Sequence, residues 1–496
     1  MGRRPRAPNT VERNRRTIMS IARFFKDFAV LGLGTAANML IGLITTPIIT
    51  RLVAPDAYGE YSMFIVYGTT VLAFTSLGLD QSLLRYFYDR EDVMYRSELL
   101  AKCVRMSLVV LVCLAVAIIV YLISSFVLLG IMDELTPLIL FSLYSFVLLL
   151  NRYSSVLIRL MHDSALYSRS LIANKLIFAS IAIPLLLWLQ GDFSFDVLAV
   201  SLIASTTIIT ILQISSYKDI WRIDSLRFNC SPSKSELLKY GLPFVFSSAA
   251  SVLLSAVGRI TLDLFGNNVE VGIFAAAINL TAIFSIVQGT FNILWAPVAV
   301  EHNSIDPDDH RPYISANHGI GFLLFSFGFI VIAFKDVLVL LLGAEYREAS
   351  FLLPLLCFNP IFYTLSETTV TGIILKKKSS YHIWVSLLAL VSNFVICCLA
   401  VPAFGTRGAA LGTAVGYIVF YASRSAFSHK VMPIAYGQYR VVFSTILLLI
   451  FAIWNTFSVF VPAMILYLLL CYIVLCYLYR DVLHFILQTI GRRKLN

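Results

Sequence analysis

The stretch FAVLGLGTAANMLIGLITTPIIT, residues 28–50, contains no Asp, Glu, Lys or Arg. At about 1.5 Å per residue, a helix of this length crosses a hydrocarbon core about 30 Å thick. A short turn, RLVAPDAYGE, occupies residues 51–60, and a second apolar run, YSMFIVYGTTVLAFTSLGL, extends to residue 79. Residues 28–89 therefore predict two membrane-spanning helices joined by a tight turn, with DQSLLRYFYD at their end.

A weaker copy of this unit occurs about 213 residues later in the chain. The segment LFGNNVEVGIF, residues 264–274, takes the place of the first turn, and Gly272 matches Gly59. The repetition predicts a duplicated membrane unit, as in transporters whose substrate site lies between two repeats.

The composition assigns the chain to the membrane. Hydrophobic residues make up 59% and charged residues 13% of the sequence, whereas a soluble domain carries about 25% charged residues. The apolar segments are much longer than the roughly 10 residues of a membrane β-strand, so they predict helices. The net charge of +10 is typical of basic cytoplasmic loops, so we expect no nucleic-acid partner.

Hydropathy and helix-breaking residues predict fourteen spans. They are residues 28–50, 61–80, 106–129, 137–158, 171–189, 197–217, 239–264, 271–296, 313–334, 350–374, 381–402, 408–427, 440–459 and 461–479.

The basic residues predict the orientation of these spans. With a cytoplasmic N-terminus, 31 of the 38 Lys and Arg residues fall in the tails and inward loops, and three fall within spans. The outward loops carry only Arg51, Lys335, Arg347 and Arg407. This asymmetry predicts that both termini are cytoplasmic.

The fold class is therefore an all-α integral membrane protein with two pseudo-symmetric six-helix lobes around a central cavity, plus two C-terminal helices. The expected divisions are a basic tail (1–27), an N-lobe (28–217), a cytoplasmic linker (218–238), a C-lobe (239–427), two further helices (428–479) and a second basic tail (480–496).

Charged side chains inside spans are the first candidates for function, because each costs at least about 2.5–3.5 kcal/mol near the bilayer centre. Arg259 and Asp263 are four residues apart and share a helix face. They predict either an anion-binding Arg regulated by a titratable Asp or a structural ion pair. Arg152 and Lys175 face the same cavity or extend to the cytoplasmic surface.

Three further side chains complete the candidates. Arg85 follows the second span and suits either recruitment of a phosphate-bearing substrate or ordinary topological anchoring, and Asp80 is its expected partner. Glu367 is the acid expected deep in the C-lobe and is a candidate for ion coupling or gating, together with Asp80 and Asp263. His318 is interpreted as a packing residue.

Some kinds of function have no motif in this sequence. The chain has no GxxxxGK[ST] phosphate loop, no HExxH metal motif and no GxSxG nucleophile motif. We therefore expect neither an enzyme nor a metal site, and no cofactor, although coupling to an H⁺ or Na⁺ gradient stays open.

Several short motifs resemble a known family. The motifs are TRLVAP (50–55), YGEY (58–61), GLDQ (78–81), RYF (85–87), YGLP (240–243), VGIF (271–274), YREA (346–349) and VPAFGTRGAA (401–410). In this order and spacing they resemble the bacterial polysaccharide-biosynthesis flippases (Wzx-like, polysaccharide transporter family). These belong to the multidrug/oligosaccharidyl-lipid/polysaccharide exporter superfamily.

The resemblance implies a flippase that moves a polyprenyl-pyrophosphate-linked oligosaccharide across the bacterial inner membrane by alternating access. It implies the lipid-linked oligosaccharide, membrane lipids and the polysaccharide polymerase and chain-length machinery as partners. Members of the family often have an Asp-Arg pair in the seventh span, but here Gly258 precedes Arg259. The implied ion coupling through that pair therefore does not carry over.

Three alternatives remain at this point. An ion-coupled multidrug exporter of the same superfamily often has an acid in its first span, which residues 28–50 lack. A membrane-embedded glycan polymerase has a large Arg-rich outward loop, and the outward loops here are short. A lipid II flippase is compatible with the sequence.

Overall fold

The structure is a computed structural model that describes residues 34–129, 135–189, 193–221, 232–376, 380–458 and 461–484, with residues 32, 378 and 488. The expected basic tail at 1–27, most of the tail at 480–496 and the middle of the linker lie outside the described residues.

The described part of the chain is helical and contains no strand. Its helices are α1 Gly34–Leu52, α2 Pro55–Thr75, α3 Leu79–Tyr86, α4 Val93–Leu129, α5 Leu135–Leu160, α6 Ser164–Leu189, α7 Ser194–Ser216, α8 Lys234–Phe265, α9 Asn268–Leu280, α10 Ser285–Ile305, α11 Arg311–Ala333, α12 Lys335–Val339, α13 Ala349–Leu356, α14 Phe358–Thr369, α15 Thr371–Leu375, α16 Tyr381–Phe404, α17 Thr406–Val431, α18 Gln438–Phe457 and α19 Ala463–Leu478.

The membrane assignment is confirmed. Within the described ranges, ten helices are long and apolar enough to cross a bilayer, or eleven when the bent pair α2 and α3 counts as one span. Each segment predicted to span coincides in its described residues with a helix or with consecutive helices. The total of fourteen crossings and the cytoplasmic termini stay predictions.

The break between α2 and α3 has a local cause. Gly78 has φ +64°, which a glycine adopts at no steric cost, and the two helix axes differ by 53°. A side chain at Gly78 would overlap the carbonyl oxygen of Gly241 on α8. The glycine therefore permits both the bend and the close contact with α8.

We call α1–α7 the N-lobe and α8–α17 the C-lobe. We call the end at which α1 finishes and α2 begins the outer end, following the predicted orientation. At this end α2 and α9 cross in direct backbone contact, because Gly59 lies against the carbonyl of Asn268 and Gly272 against that of Pro55. The contact is reciprocal between the two repeats, since both pairs of equivalent positions are about 213 residues apart.

The outer end has one hydrophobic core that both lobes share. A single cluster of buried side chains includes Val53 and Tyr61 from the N-lobe with Phe274 and Leu353 from the C-lobe. Tyr346, in the turn before α13, donates a hydrogen bond of 2.9 Å to the carbonyl of Val53. The two lobes are therefore packed directly against each other at the outer end.

The inner end has separate cores. One cluster joins α3, α4 and α5 around Leu99 and Tyr153, and another joins α10 and α11 to the segment after α17 around Tyr313 and Met432. The start of α8 packs with the N-lobe cluster through Leu237, while the rest of α8 packs on the C-lobe. The hydrophobic core is therefore divided at the inner end, and the start of α8 joins the N-lobe part of it.

The two C-terminal helices, α18 and α19, pack on the C-lobe. Asp481 follows α19 and forms an ion pair of 2.6 Å with Arg440 and a contact of 2.9 Å with Nδ1 of His318. His318 is buried, and its Nε2 lies 3.0 Å from the carbonyl of Tyr436. The interpretation of His318 as a packing residue is confirmed, with a charged partner that the sequence did not indicate.

Candidate functional site

Arg259 lies next to the outer contact between the two lobes. On α8, its Nη1 donates a hydrogen bond of 3.3 Å to Ser62 Oγ, one turn inward from Gly59 on α2. Its Nη2 contacts the carbonyl of Ser255 at 3.4 Å, and the buried Nε has no partner among the described residues. Arg259 is partly buried, and a guanidinium without an acidic partner can bind an anion.

The expected pair of Arg259 with Asp263 is not formed. Asp263 instead accepts a hydrogen bond of 2.5 Å from the hydroxyl of Tyr67 on α2. No described carboxylate forms an ion pair with Arg259; the tyrosines Tyr58 and Tyr417 are its electrostatic neighbours. The difference arises because the tyrosine on α2 reaches the aspartate across the interface between the lobes. No described carboxylate therefore compensates the charge of Arg259.

Lys175 contributes a second positive charge in the N-lobe. It lies on α6 one turn from Phe178, whose ring stacks on Tyr61 with centroids 6.1 Å apart. Lys175 is accessible to solvent although protein atoms surround it on most sides. No ion pair involving Lys175 is found in the described residues, so no described carboxylate compensates its charge.

Asp80 and Arg152 form an ion pair within the N-lobe. Both Nη2 and Nε of Arg152 donate to Asp80 Oδ2, at 2.6 and 3.1 Å. The carboxylate is buried, whereas 41% of the Arg152 side chain is exposed. The expectation that Asp80 pairs with Arg85 was wrong, because Arg85 points to the surface and pairs with Asp89 at 3.5 Å. α3 thus presents Asp80 to the lobe interior and Arg85 to the solvent.

Glu367 has a partner that the sequence analysis missed. Arg424 Nη1 lies 2.7 Å from Glu367 Oε1, and Arg424 is buried within α17. Arg424 falls near the inner end of the predicted span 408–427, where it adds to the basic residues of the inner side. The sequence around it, YASRSAF, has apolar residues on both sides, and that is the signal that indicates a buried position.

The sequence of this chain is similar to those of known proteins. The family model described as polysaccharide biosynthesis protein matches residues 24–301, more than half of the chain. The chain belongs to the polysaccharide biosynthesis protein family. One curated relative is the capsular polysaccharide biosynthesis protein CapF of Staphylococcus aureus, which is 22% identical over 416 residues, covering 82% of this chain and 99% of CapF.

Solved structures show the same fold at low sequence identity. The lipid II flippase MurJ, in an inward closed conformation, superposes with a TM-score of 0.66 at 15% identity, covering 92% of this chain and 100% of MurJ. A multidrug resistance transporter of the MATE family, in an inward-facing conformation, has a TM-score of 0.60 at 15% identity, covering 80% of this chain and 94% of the transporter.

The family match and the fold comparison agree with each other. The resemblance seen in the short motifs is confirmed by the family match and by the likeness to MurJ and MATE proteins. These neighbours are transporters or flippases rather than enzymes. This member of the polysaccharide biosynthesis family is thus a multi-pass membrane protein with the fold seen in MurJ and in the MATE transporter.

Proposed function

We propose that the protein is a flippase that carries a polyprenyl-pyrophosphate-linked oligosaccharide from the cytoplasmic to the outer leaflet of the bacterial inner membrane. The single observation that carries this proposal is Arg259, a guanidinium next to the closed outer contact of the lobes that forms no ion pair with a described carboxylate. The polysaccharide biosynthesis family and CapF support a saccharide attached to a lipid as the cargo.

The cargo poses a definite physical problem. Its pyrophosphate and sugars cannot enter hydrocarbon without a large desolvation cost, whereas its polyprenyl tail is stable there. A space between two lobes accommodates the head while the tail remains in the bilayer. The lobes share one hydrophobic core at the outer end and have separate cores at the inner end, which fits a transporter closed to the outside.

The charges in this space suit the head group. Arg259 and Lys175 lie on opposite lobes, and neither has an ion pair among the described residues. Guanidinium binds phosphate oxygens through two parallel hydrogen bonds, and an ammonium group adds a point charge. Binding of pyrophosphate between them pulls the two lobes towards each other, which favours closure of the inner end.

Arg85 and Arg152 have different roles in binding the substrate. The exposed Arg85 lies at the inner mouth, where it can attract an anionic head group. Arg152 retains 41% exposure despite its pair with Asp80, so its outer face stays available to the cargo. Export of the substrate then returns the protein to the inward-facing state, and a polymerase with its chain-length partner uses the product.

A deletion strain tests the proposal. We expect loss of the gene to remove surface polysaccharide and to trap lipid-linked repeat units in the inner leaflet. Wild-type protein restores display. We expect Arg259→Ala to lower the export rate by about 10- to 100-fold. This loss corresponds to the roughly 1.5–3 kcal/mol that a hydrogen bond to a charged group contributes.

Arg311→Ala is the matched control, because 93% of its side chain is exposed and it pairs only with Asp309. Equal amounts of each variant in the membrane fraction exclude loss of folding. A wild-type amount of surface polysaccharide with Arg259→Ala would show that Arg259 does not bind the substrate. Accumulation of lipid II in place of lipid-linked polysaccharide repeat units would instead show that the cargo is lipid II, which is the cargo named for MurJ.

A further inference from the structure

One helix of the C-lobe has a single accessible face, and that face is polar. Every residue of α14 is buried except Asn359, Tyr363 and Glu367, which follow one another at intervals of four residues. This spacing places the three side chains on one side of the helix, along about 12 Å of its length. We call these three residues the α14 stripe.

The α14 stripe faces water rather than lipid. The helix belongs to the apolar span Ala349–Thr369, and its other faces pack against α11 and α17. A glutamate or an asparagine in contact with hydrocarbon carries a large desolvation cost, so polar residues within a span face the bundle interior or an aqueous cavity. The accessible positions of α14 therefore line an aqueous space within the protein.

The stripe has hydrogen-bonding groups that the protein itself does not use. Among the described residues, none forms a hydrogen bond with the amide of Asn359 or the hydroxyl of Tyr363. The Oε1 atom of Glu367 accepts a hydrogen bond of 2.7 Å from Arg424, and no described residue donates to Oε2. Buried hydroxyls of the same helix are instead bonded within the protein, namely those of Ser366, Thr368 and Thr369.

Tyr363 presents an aromatic ring in a fixed orientation. Its ring stacks on that of Phe420 on α17, with centroids 5.9 Å apart and planes inclined by 16°. Both side chains are partly exposed. The face of an aromatic ring carries partial negative charge and attracts C–H groups, which carry partial positive charge. A sugar ring presents such C–H groups on its faces, so it can stack on this pair of side chains.

The charge of the stripe is balanced. Glu367 has 21% of its side chain exposed and is paired with Arg424 on α17 at 2.7 Å. Arg424 also donates a hydrogen bond of 2.7 Å to Ser366 Oγ and lies 5.4 Å from the centre of the Phe420 ring. Because the ion pair has no net charge, the stripe favours neither a cation nor an anion. A neutral ligand that is rich in hydroxyl groups matches its free donors and acceptors.

A row of side chains connects the stripe to Arg259. Beside Arg259, α8 is in contact with α17, because a Cβ at Gly258 would lie 3.3 Å from Oγ1 of Thr413. Tyr417 lies one turn further along α17, and its ring centroid is 6.1 Å from that of Phe420. A head group bound at Arg259 can therefore extend along α17 to the stripe.

We propose that Asn359, Tyr363 and Glu367 form the saccharide-binding part of the cargo site. This inference rests on the proposed function, since the sugars are those of the lipid-linked cargo. The Tyr363 ring stacks on an uncharged sugar, the Asn359 amide donates to and accepts from its hydroxyl groups, and Oε2 of Glu367 accepts from another hydroxyl. Arg259 binds the pyrophosphate of the same molecule.

Binding of two lipids by the purified protein in nanodiscs tests the proposal. One probe is the lipid-linked repeat unit extracted from the deletion strain, and the other is undecaprenyl pyrophosphate, which carries no sugar. We expect wild type to bind the sugar-bearing lipid about 10-fold more tightly, because ring stacking and hydroxyl contacts add to the phosphate contacts. Tyr363→Leu should lose most of this factor and leave the affinity for undecaprenyl pyrophosphate unchanged, whereas Arg259→Ala weakens binding of both lipids.

Tyr467→Leu is the matched control. Tyr467 is also a partly exposed tyrosine stacked on a phenylalanine, with its ring centroid 5.7 Å from that of Phe451, but it lies on α19. This variant should bind both lipids as wild type does. Asn359→Leu, which removes the amide at similar volume, should weaken binding of the sugar-bearing lipid alone by several-fold. It decides the question if Tyr363→Leu does not fold.

The saccharide site and the flippase assignment fail in different ways. Equal affinity of wild type for the two lipids overturns the saccharide site and leaves the flippase assignment in place. Unchanged binding of the sugar-bearing lipid by Tyr363→Leu and Asn359→Leu has the same consequence. Binding of neither lipid by wild type rejects the flippase assignment, and the saccharide site with it.

Discussion

Gly59 on α2 and Gly272 on α9 occupy equivalent positions in the two repeats, and each lies directly against the backbone of the other helix. A Cβ atom at Gly59 would overlap the carbonyl oxygen of Asn268, and one at Gly272 would overlap that of Pro55. The outer ends of the lobes can therefore close only because both helices lack a side chain where they cross. This contact makes the closed outer end a specific state rather than a loose association.

The first prediction concerns this crossing. Gly59→Ala or Gly272→Ala separates α2 from α9, because the overlapping atoms are backbone and cannot rotate away. We expect the outer end to be held partly open and surface polysaccharide to fall at least several-fold. Labelling of the outer end by a membrane-impermeant reagent measures the opening. Gly319→Ala is the control, since a Cβ there meets open space, and normal export with Gly59→Ala contradicts the interpretation.

The second prediction concerns the N-lobe ion pair. Asp80→Ala leaves Arg152 without its carboxylate, and we expect a loss of about 1–3 kcal/mol in the free energy of unfolding. Arg152→Ala leaves a buried carboxylate unpaired and has an effect of similar size. The double variant should lose less than the sum of the two, because neither charge is then left alone.

Thermal unfolding in detergent measures these differences. Arg85→Ala is the matched control for stability, because its pair with Asp89 is exposed on both sides. Surface pairs of this kind contribute about 0–1 kcal/mol. Strictly additive losses in the double variant would show that Asp80 and Arg152 do not interact.

The third prediction concerns pH and the C-terminal helices. Burial alone would raise the pKa of Asp481, but hydrogen bonds from Arg440 and His318 outweigh it and lower the pKa below its ordinary value of 3.8. A carboxyl group whose pKa is lower in the folded state stabilises the fold above its ordinary pKa. That contribution is lost as the pH falls from about 3.8 through the lower value.

We therefore expect wild type to be more stable than Asp481→Asn at pH 6, with the difference shrinking as the pH falls below about 3.8. Melting temperatures measured in detergent between pH 6 and pH 3 provide the comparison. Asp308→Asn, in the exposed loop before α11, serves as the control and should not differ from wild type. A difference that grows on acidification would contradict the assigned pairing.

The fourth prediction concerns Tyr346. Its hydroxyl donates to the carbonyl of Val53 across the two lobes, and its ring is fully buried beside Tyr58. Tyr346→Phe removes the donor and leaves a buried carbonyl unpaired, at a cost of about 1–3 kcal/mol. We expect the closed outer end to be less populated and impermeant labelling of it to increase.

Tyr477→Phe is the matched control, because 71% of Tyr477 is exposed on α19. Unchanged labelling with Tyr346→Phe would mean that the hydrogen bond does not contribute to closure. Reduced labelling would contradict a contribution of the turn before α13 to the outer contact.

The sequence by itself determined the class of this protein and much of its organisation. An apolar helix must span a bilayer because every backbone group has to be bonded within it, so hydropathy located the helices. The match of Gly272 with Gly59 correctly indicated two repeats, and the short motifs identified the family. The absence of charge from residues 28–50 and the intramembrane position of Arg259 were visible in the same way.

Only the tertiary structure decided which charges meet. Asp80 binds Arg152 across 72 residues, and Glu367 binds Arg424 across 57. Neighbours on one helix, such as Arg259 and Asp263, were expected to pair and do not, because Tyr67 from α2 reaches the aspartate. A partner is chosen by the rotation and crossing of helices, and these follow from packing between residues far apart in the chain. Spacing along one helix shows which side chains share a face, but not which element covers that face.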